Sequence, residues 1–169
     1  DFRRYCRRFF AEETVGAETF DANVSTLLLR YRENALYAQL NLLDSHDVSR
    51  YLTLCGENTD KMELSVLLQM TFPGMPCVFY GDEKGLCGTT ESEYRQAMAW
   101  DKNHALEEIY RSMIALRKEH SALRYGNFRT IVASNSVYSY SRTWNDTRIT
   151  VTMNLGDVPI QAPKHGRLL

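Results

Sequence analysis

The stretch Leu42-Leu43-Asp44-Ser45-His46-Asp47-Val48-Ser49-Arg50 (LLDSHDVSR) decides how the chain is read. An apolar run from Ala38 to Leu43 gives way at once to two carboxylates, an imidazole and a guanidinium. That arrangement fits an ordinary turn or the rim of a site. A second short apolar run, Pro76 to Tyr80, ends in the same manner, in Gly81-Asp82-Glu83. Between the runs, Leu64, Leu67, Leu68 and Phe72 fall on one helical face. Asp60 and Glu63 read as a capping box for that helix, and Pro73-Gly74 as its stop.

Working outward, Phe2, Tyr5, Cys6, Phe9 and Phe10 recur at helical spacing, and so do Phe20, Val24, Leu27, Leu28 and Tyr31 within Thr19 to Tyr31. A further helix is predicted over His104 to Glu119, with Glu107 and Glu108 at its start and Arg117 and Lys118 at its end, as the helix dipole favours. After His120 the period changes. Phe128 to Ala133, Val137 to Ser141 and Ile149 to Met153 read as strands, with Asn145-Asp146 as a turn. The order helix, strand, helix, strand, helix implies an α/β fold whose parallel sheet is covered by helices. The expected division is 1–120 for this part and 121–169 for an all-β part. In parallel α/β folds functional groups gather at the C-terminal ends of strands, where both polar clusters fall. Two such units neither close a barrel nor cover a sheet. The chain also opens at Asp1 inside a helix without a cap sequence, so it reads as the last part of something larger.

The net charge of −1 gives no electrostatic case for nucleic acid or an anionic membrane. Arg3, Arg4, Arg7 and Arg8 read as the solvated face of the first helix. No apolar run approaches the roughly 20 residues of a membrane span, and no signal peptide is evident. Cys6, Cys55, Cys77 and Cys87 form no CxxC pair and lack zinc spacing. Free thiols point to a reducing, cytoplasmic setting. Asn23-Val24-Ser25 and Asn145-Asp146-Thr147 match the glycosylation triplet and are read as chance occurrences.

Four segments together resemble the α-amylase superfamily. LLDSHDVSR resembles its segment at the end of barrel strand seven. Pro73-Gly74-Met75-Pro76-Cys77-Val78-Phe79-Tyr80-Gly81-Asp82-Glu83 is similar to the eighth-strand segment, where Gly-x-Pro leads to Tyr-Gly-Asp-Glu. Arg95-Gln96-Ala97-Met98-Ala99-Trp100 is similar to the following loop, and Leu116 to Gly126 to the passage out of the last helix. The His-Asp-x-Ser-Arg form most resembles the neopullulanase, cyclomaltodextrinase and maltogenic amylase branch. The resemblance implies about the last two β/α units of a (β/α)8 TIM barrel, followed by a small antiparallel β domain.

It also implies a retaining glycoside hydrolase acting on α-1,4 or α-1,6 glucosidic bonds of malto-oligosaccharides, cyclodextrins or pullulan. Such enzymes need a carboxylate nucleophile and a carboxylic acid flanking the bond, and positive charge develops on the sugar at the transition state. A third fixed carboxylate stabilises that charge. The resemblance assigns this role to Asp47, with His46 binding sugar hydroxyls. Asp44 and Arg50 are further substrate-binding candidates, Asp44 equally as a bond to its own loop and Arg50 as the partner of a carboxylate. Asp82 and Glu83 are expected to secure the second loop, and Arg95 and Trp100 to shape the one after it.

No metal is expected from Asp44, His46 and Asp47: alternate strand residues face opposite sides, so Asp47 parts from the others unless the chain turns. No cofactor is expected either; calcium, which some members bind, would need residues upstream. In the family the nucleophile Asp and acid/base Glu end strands four and five, and no segment here resembles either motif. The chain alone is therefore expected to be inert, and to self-associate through exposed barrel edges. The rival readings are a non-catalytic binding or scaffold homologue, a glucosyltransferase, and a sugar-binding module using Trp100, Trp144 and the tyrosines.

Overall fold

The computed structural model describes residues 1–161; the last residues of the expected 121–169 unit, 162–169, lie outside it. Its parallel element is a pair of strands. β1 (Leu40–Leu42) runs alongside β2 (Met75–Cys77) in the register Leu40 to Met75, Asn41 to Pro76 and Leu42 to Cys77. Both strands are shorter than the apolar runs that predict them. Past Leu42 the Asp44 carboxylate accepts the Tyr51 N–H at 2.7 Å and turns the chain, while past Cys77 the Tyr80 carbonyl is taken by the Arg50 side chain.

The face of β1 that turns inward is polar. Asn41 is buried and donates from Nδ2 to Pro73 O at 2.7 Å, whereas Leu40 is 60% exposed. Gln69, also buried, donates from Nε2 to Asn41 O at 2.9 Å and to Cys77 O at 3.0 Å, so one amide spans both strands.

The strands are joined through α4 (Tyr51–Leu54) and α5 (Thr59–Thr71). The cap of α5 differs from the expected Asp60–Glu63 box. Asn58, extended at φ −77° and ψ 111°, accepts the N–H groups of Asp60 and Lys61 on its side-chain oxygen, at 2.9 and 3.1 Å. A shorter amide placed one residue before the helix reaches the free N–H groups that Asp60, already inside the helix, cannot. At the other end the Pro73-Gly74 stop is as expected. Gly74 has φ +111°, and a Cβ there would lie 2.6 Å from Asn41 Nδ2 and 2.8 Å from Gln39 O.

The last carbonyls of α5 are met by two arginines from later in the chain. Arg117 donates to Met70 O at 2.7 Å, Phe72 O at 3.2 Å and Gly74 O at 2.5 Å. Arg142, fully buried, donates to Thr71 O and, from Nη2 at 2.8 Å, to Gly126 O. Cations at a helix C-terminus satisfy both its orphan carbonyls and its dipole. Burial, with Arg142 alongside, lowers the Arg117 pKa to about 10.

Around this unit lie α1 (Phe2–Cys6), continued by a π-helical turn (Arg7–Ala11), then α2 (Ala17–Arg30), α3 (Glu33–Tyr37), α6 (Glu91–Tyr94), α7 (Ala105–Glu119) and α8 (Ser121–Tyr125). β3 (Asn127–Ser134), β4 (Val137–Trp144) and β5 (Thr147–Asn154) form an antiparallel meander. Its turns place Asn135 and Asn145 at φ 53° and 49°, the left-handed region that asparagine tolerates. Phe9 stacks on Phe20 at 4.3 Å, and Phe20 meets Tyr138 of β4 edge-on at 5.0 Å. Asp21 accepts the Thr130 and Tyr138 hydroxyls at 2.5 and 3.1 Å. One apolar cluster thus runs from the first helices through Ala122 and Leu123 into Tyr138, Tyr140, Val151 and Met153. At about 1.5–3 kcal/mol for each fully buried large side chain, these rings dominate the attachment of the meander.

No helix among the described residues is long and apolar enough to cross a membrane.

Candidate active site

The loop after β1 has buried feet and an exposed tip. Leu43 and Asp44 are buried at one end and Arg50 at the other, while the side chains of His46 and Asp47 are each 66% exposed. The chain turns between them: Val48 N–H reaches back to Ser45 O at 3.5 Å, and Ser45 Oγ accepts the Asp47 N–H at 3.3 Å. That turn removes the strand alternation that would part them, and brings His46 Nε2 to 3.2 Å from Asp47 Oδ1.

Arg95, in the loop following α6, holds the tip. Its Nε donates to His46 O at 2.8 Å, Nη2 lies 3.4 Å from Asp47 Oδ1, and Nη1 is 2.9 Å from Glu91. The short helix behind it is set by a capping box in which Glu93 accepts the Thr89 and Thr90 N–H groups at 2.8 and 2.9 Å. Those bonds draw the Glu93 pKa down to about 2. Arg3 of α1 holds the loop from the other side, donating to Leu43 O at 2.7 Å and Ser49 O at 3.1 Å.

Beneath the tip the two strand ends are stitched together. Arg50 Nη1 donates to Tyr80 O at 2.6 Å and to Asp82 Oδ1 at 3.1 Å, and its guanidinium lies 4.3 Å from the Phe79 ring centre and 4.8 Å from that of Tyr80. The Arg50 N–H donates to Gly88 O at 2.9 Å. The Asp44 and Asp82 carboxyls are both buried here, close enough for each to bear on the ionisation of the other. Glu83 accepts the Gly81 N–H at 3.0 Å, and Gly81 sits at φ +86° where a Cβ would meet Leu86 at 2.3 Å.

The sequence-derived candidates therefore divide. His46 and Asp47 share an accessible rim. Asp44 and Arg50, each open to a sugar-binding or a structural role, are 3% and 0% exposed and direct their polar groups inward. The structural alternatives, a bond to its own loop for Asp44 and a carboxylate partner for Arg50, are therefore the ones realised. The physical reason is mutual: a guanidinium and two carboxyls stripped of water need one another. Of the basic cluster read as a solvated face only Arg4 is exposed; Arg7 and Arg8 are half-buried, and so is Arg3, which is held against the loop. No sequence signal separates it from Arg4, Arg7 and Arg8; only its position toward β1 does. Arg95, expected to shape the loop it lies in, instead braces the tip of the loop after β1, and Trp100 stands 77% exposed.

A hollow of about 340 Å³ adjoins Asp47, bounded by Arg3, Arg7, Ser49, Thr89 and Tyr94. Among the described residues no group of three or more His, Cys, Asp and Glu side chains is placed to hold a metal ion. Chemically, the rim offers an exposed carboxylate backed by an imidazole and a guanidinium. Such a group can bind hydroxyls and stabilise a developing positive charge.

Comparison with known proteins gives the setting. The family described as alpha amylase, catalytic domain, matches residues 7–105. Neopullulanase 2 of Thermoactinomyces vulgaris is 40% identical over 98% of this chain and 30% of its own length. A cyclomaltodextrinase of Thermoanaerobacter pseudethanolicus is 32% identical over 90% of this chain and 27% of its own. Among solved structures, a cyclomaltodextrinase superposes with a TM-score of 0.86 at 37% identity, covering 90% of this chain and 27% of that one. The cyclic α-maltosyl-(1→6)-maltose hydrolase of Arthrobacter globiformis gives 0.87 at 29%, covering 92% and 36%. The chain thus spans about a third or less of the proteins it matches.

Proposed function

The chain belongs to the α-amylase family, and from that premise we propose that it supplies one of the three carboxylates of a retaining α-glucan hydrolase. Asp47 is the transition-state stabiliser, and His46 binds sugar hydroxyls beside it. The observation that carries the reading is the exposed His46–Asp47 pair at the C-terminal end of a parallel strand, backed by Arg95. The nucleophile and the acid/base come from sequence outside these 169 residues, so the chain by itself does not turn over substrate. Relatives named for neopullulanase and cyclomaltodextrinase activity support malto-oligosaccharides, cyclodextrins or pullulan as the substrate class.

β1 and β2 are read as neighbouring strands of a (β/α)8 barrel, and β3 to β5 as part of a terminal β domain. Their parallel register supports this. So do the exposed apolar side chains Leu40, Met75, Val78 and Tyr80, which other strands would cover. On the same grounds the isolated chain self-associates, and a monodisperse monomer in light scattering would count against the barrel reading.

The test of the site is Asp47→Asn in the full-length protein. The stabiliser's loss lowers kcat on the order of 10³-fold, about 4 kcal/mol of barrier, with the fold intact by circular dichroism. Near-wild-type turnover removes Asp47 from the mechanism. A full-length protein that binds glucan but hydrolyses none is a scaffold instead.

A further inference from the structure

A buried polar cluster lies under the candidate site, and the rim chemistry leaves it unexplained. Asp44, Asp82 and Arg50 are all buried, at 3%, 3% and 0% exposure. Two ionised carboxylates beside one guanidinium would leave a net negative charge in a dry interior, which is costly. Asp44 Oδ2 accepts the Tyr51 N–H, but Asp44 Oδ1 is buried without an N–H donor. Asp82 Oδ1 already accepts from Arg50. A proton on the other Asp82 oxygen, given to Asp44, satisfies the orphaned acceptor and brings the cluster to neutrality.

We propose that Asp44 and Asp82 hold a single proton between them and, clamped by Arg50, form a positioning clip that fixes the loop carrying His46 and Asp47. The clip joins the ends of β1 and β2: Asp44 and Arg50 lie three residues before and three after Asp47, and Arg50 reaches both Asp82 and the Tyr80 carbonyl. Its role in catalysis rests on the hydrolase reading; the shared proton does not.

The surroundings support this charge count. Burial pushes both carboxyls above the usual range. Asp82 goes furthest, because the Asp44 charge beside it opposes a second negative charge and accepts its proton, while Arg50 pulls the other way. Arg3 from α1 also favours the ionised Asp44. Tyr51 of α4 and Tyr110 of α7 face the pair, with Cys55 behind Asp44 and Cys87 near Arg50; burial raises all four, so they stay neutral near pH 7. Glu83 adds a partly exposed charge next to Asp82.

A carboxyl whose pKa is higher folded than unfolded takes up a proton on folding. Stability is then greatest below the unfolded value near 4 and falls as pH rises towards the folded value, about tenfold in the folding constant per pH unit for one proton.

The experiment uses the full-length protein. In the wild type at pH 7 the infrared spectrum shows a protonated-carboxyl C=O band that both Asp82→Asn and Asp44→Asn abolish, since each leaves one ionised carboxylate opposite Arg50. Asp82→Asn also removes the tenfold-per-unit loss of folding constant above pH 4. Its amide still donates to Asp44 and accepts from Arg50. Asp82→Ala releases the loop and lowers kcat about 10²-fold with a smaller change in KM, and Asp82→Asn recovers most of that loss. No assignable C=O band, or a pH slope unchanged in Asp82→Asn, overturns the shared proton. Full kcat in a folded Asp82→Ala overturns the positioning role. If Asp82→Ala fails to fold, a kcat in Asp82→Asn as low as that of Asp47→Asn does the same. A wild type without glucan hydrolysis defeats the hydrolase reading, and the infrared and stability results still judge the proton.

Discussion

Gln69→Leu tests how far one amide keeps the two parallel strands together. The replacement is close in volume and keeps the helix, so its effect isolates the two hydrogen bonds to Asn41 O and Cys77 O, at 2.9 and 3.0 Å. Gln69 is 1% exposed, so water does not replace them. An orphaned buried acceptor costs about 1–3 kcal/mol. Each carbonyl keeps a second lone pair and part of its satisfaction, which puts the sum for two at about 2–4 kcal/mol rather than at the upper limit. The removal of the amide oxygen, Gln69 Oε1, which has no partner of its own, returns part of that cost. Equilibrium urea denaturation of the full-length protein, followed by tryptophan fluorescence, should show the midpoint fall with little change of slope. Gln69→Glu sharpens the result. Ionised, it sets a negative charge against two carbonyls and is worse than leucine; protonated at low pH, it donates once and recovers part of the loss. A Gln69→Leu protein as stable as the wild type would mean that the bridge contributes nothing.

Two further substitutions address other joints. Arg95→Ala removes the support of His46 O and Asp47, and kcat in the full-length protein should fall roughly 10–100-fold. The stability change stays within about 1 kcal/mol, because Arg95 is 44% exposed and its ion pairs are screened. Equal kcat with altered stability would make Arg95 structural only. Asn58→Ala strips the α5 cap of both its acceptor bonds, with an expected loss of about 1 kcal/mol in the same denaturation assay, against little change for Asp60→Ala.

The elements that were legible in the sequence are those with many turns of repeated pattern. α2, α5 and α7 each run thirteen residues or more, long enough for a helical period to show, although the face that α5 buries takes in Ser65, Gln69 and Thr71 while Leu64 and Leu67 of its expected stripe are only partly buried. The meander announces itself by alternation and by Asn145-Asp146. α3, α4, α6 and α8 have only four or five residues, too few for a period to emerge. β1 misled in another way. Its leucines suggested a strand buried on both faces, but Asn41 is its most deeply buried residue, held by a proline carbonyl and by the backbone bond to Gln69. At the site, the His46–Asp47 pair could be read because adjacency in sequence became adjacency in space. Arg3, forty and more residues from the groups it holds, could not, since an amphipathic pattern records which face is apolar and not which polar side chain finds a partner.

The corner after α5 carries a consequence for the order of events at the ribosome. Thr71 and Arg142 are separated by 71 residues, yet the carbonyl of one is satisfied by the guanidinium of the other. At 5–20 residues per second, roughly 4–14 s pass between the synthesis of the two. Arg117 arrives earlier and can serve Met70, Phe72 and Gly74, but throughout that interval the Thr71 carbonyl lacks its guanidinium and is left to water, so the corner leading into β2 is not fully dry. The approach to β2 is therefore completed late, by a residue that takes no part in the candidate site. The meander behaves in this sense as a late stitch: until β4 arrives, the corner between α5 and β2 stays open to water.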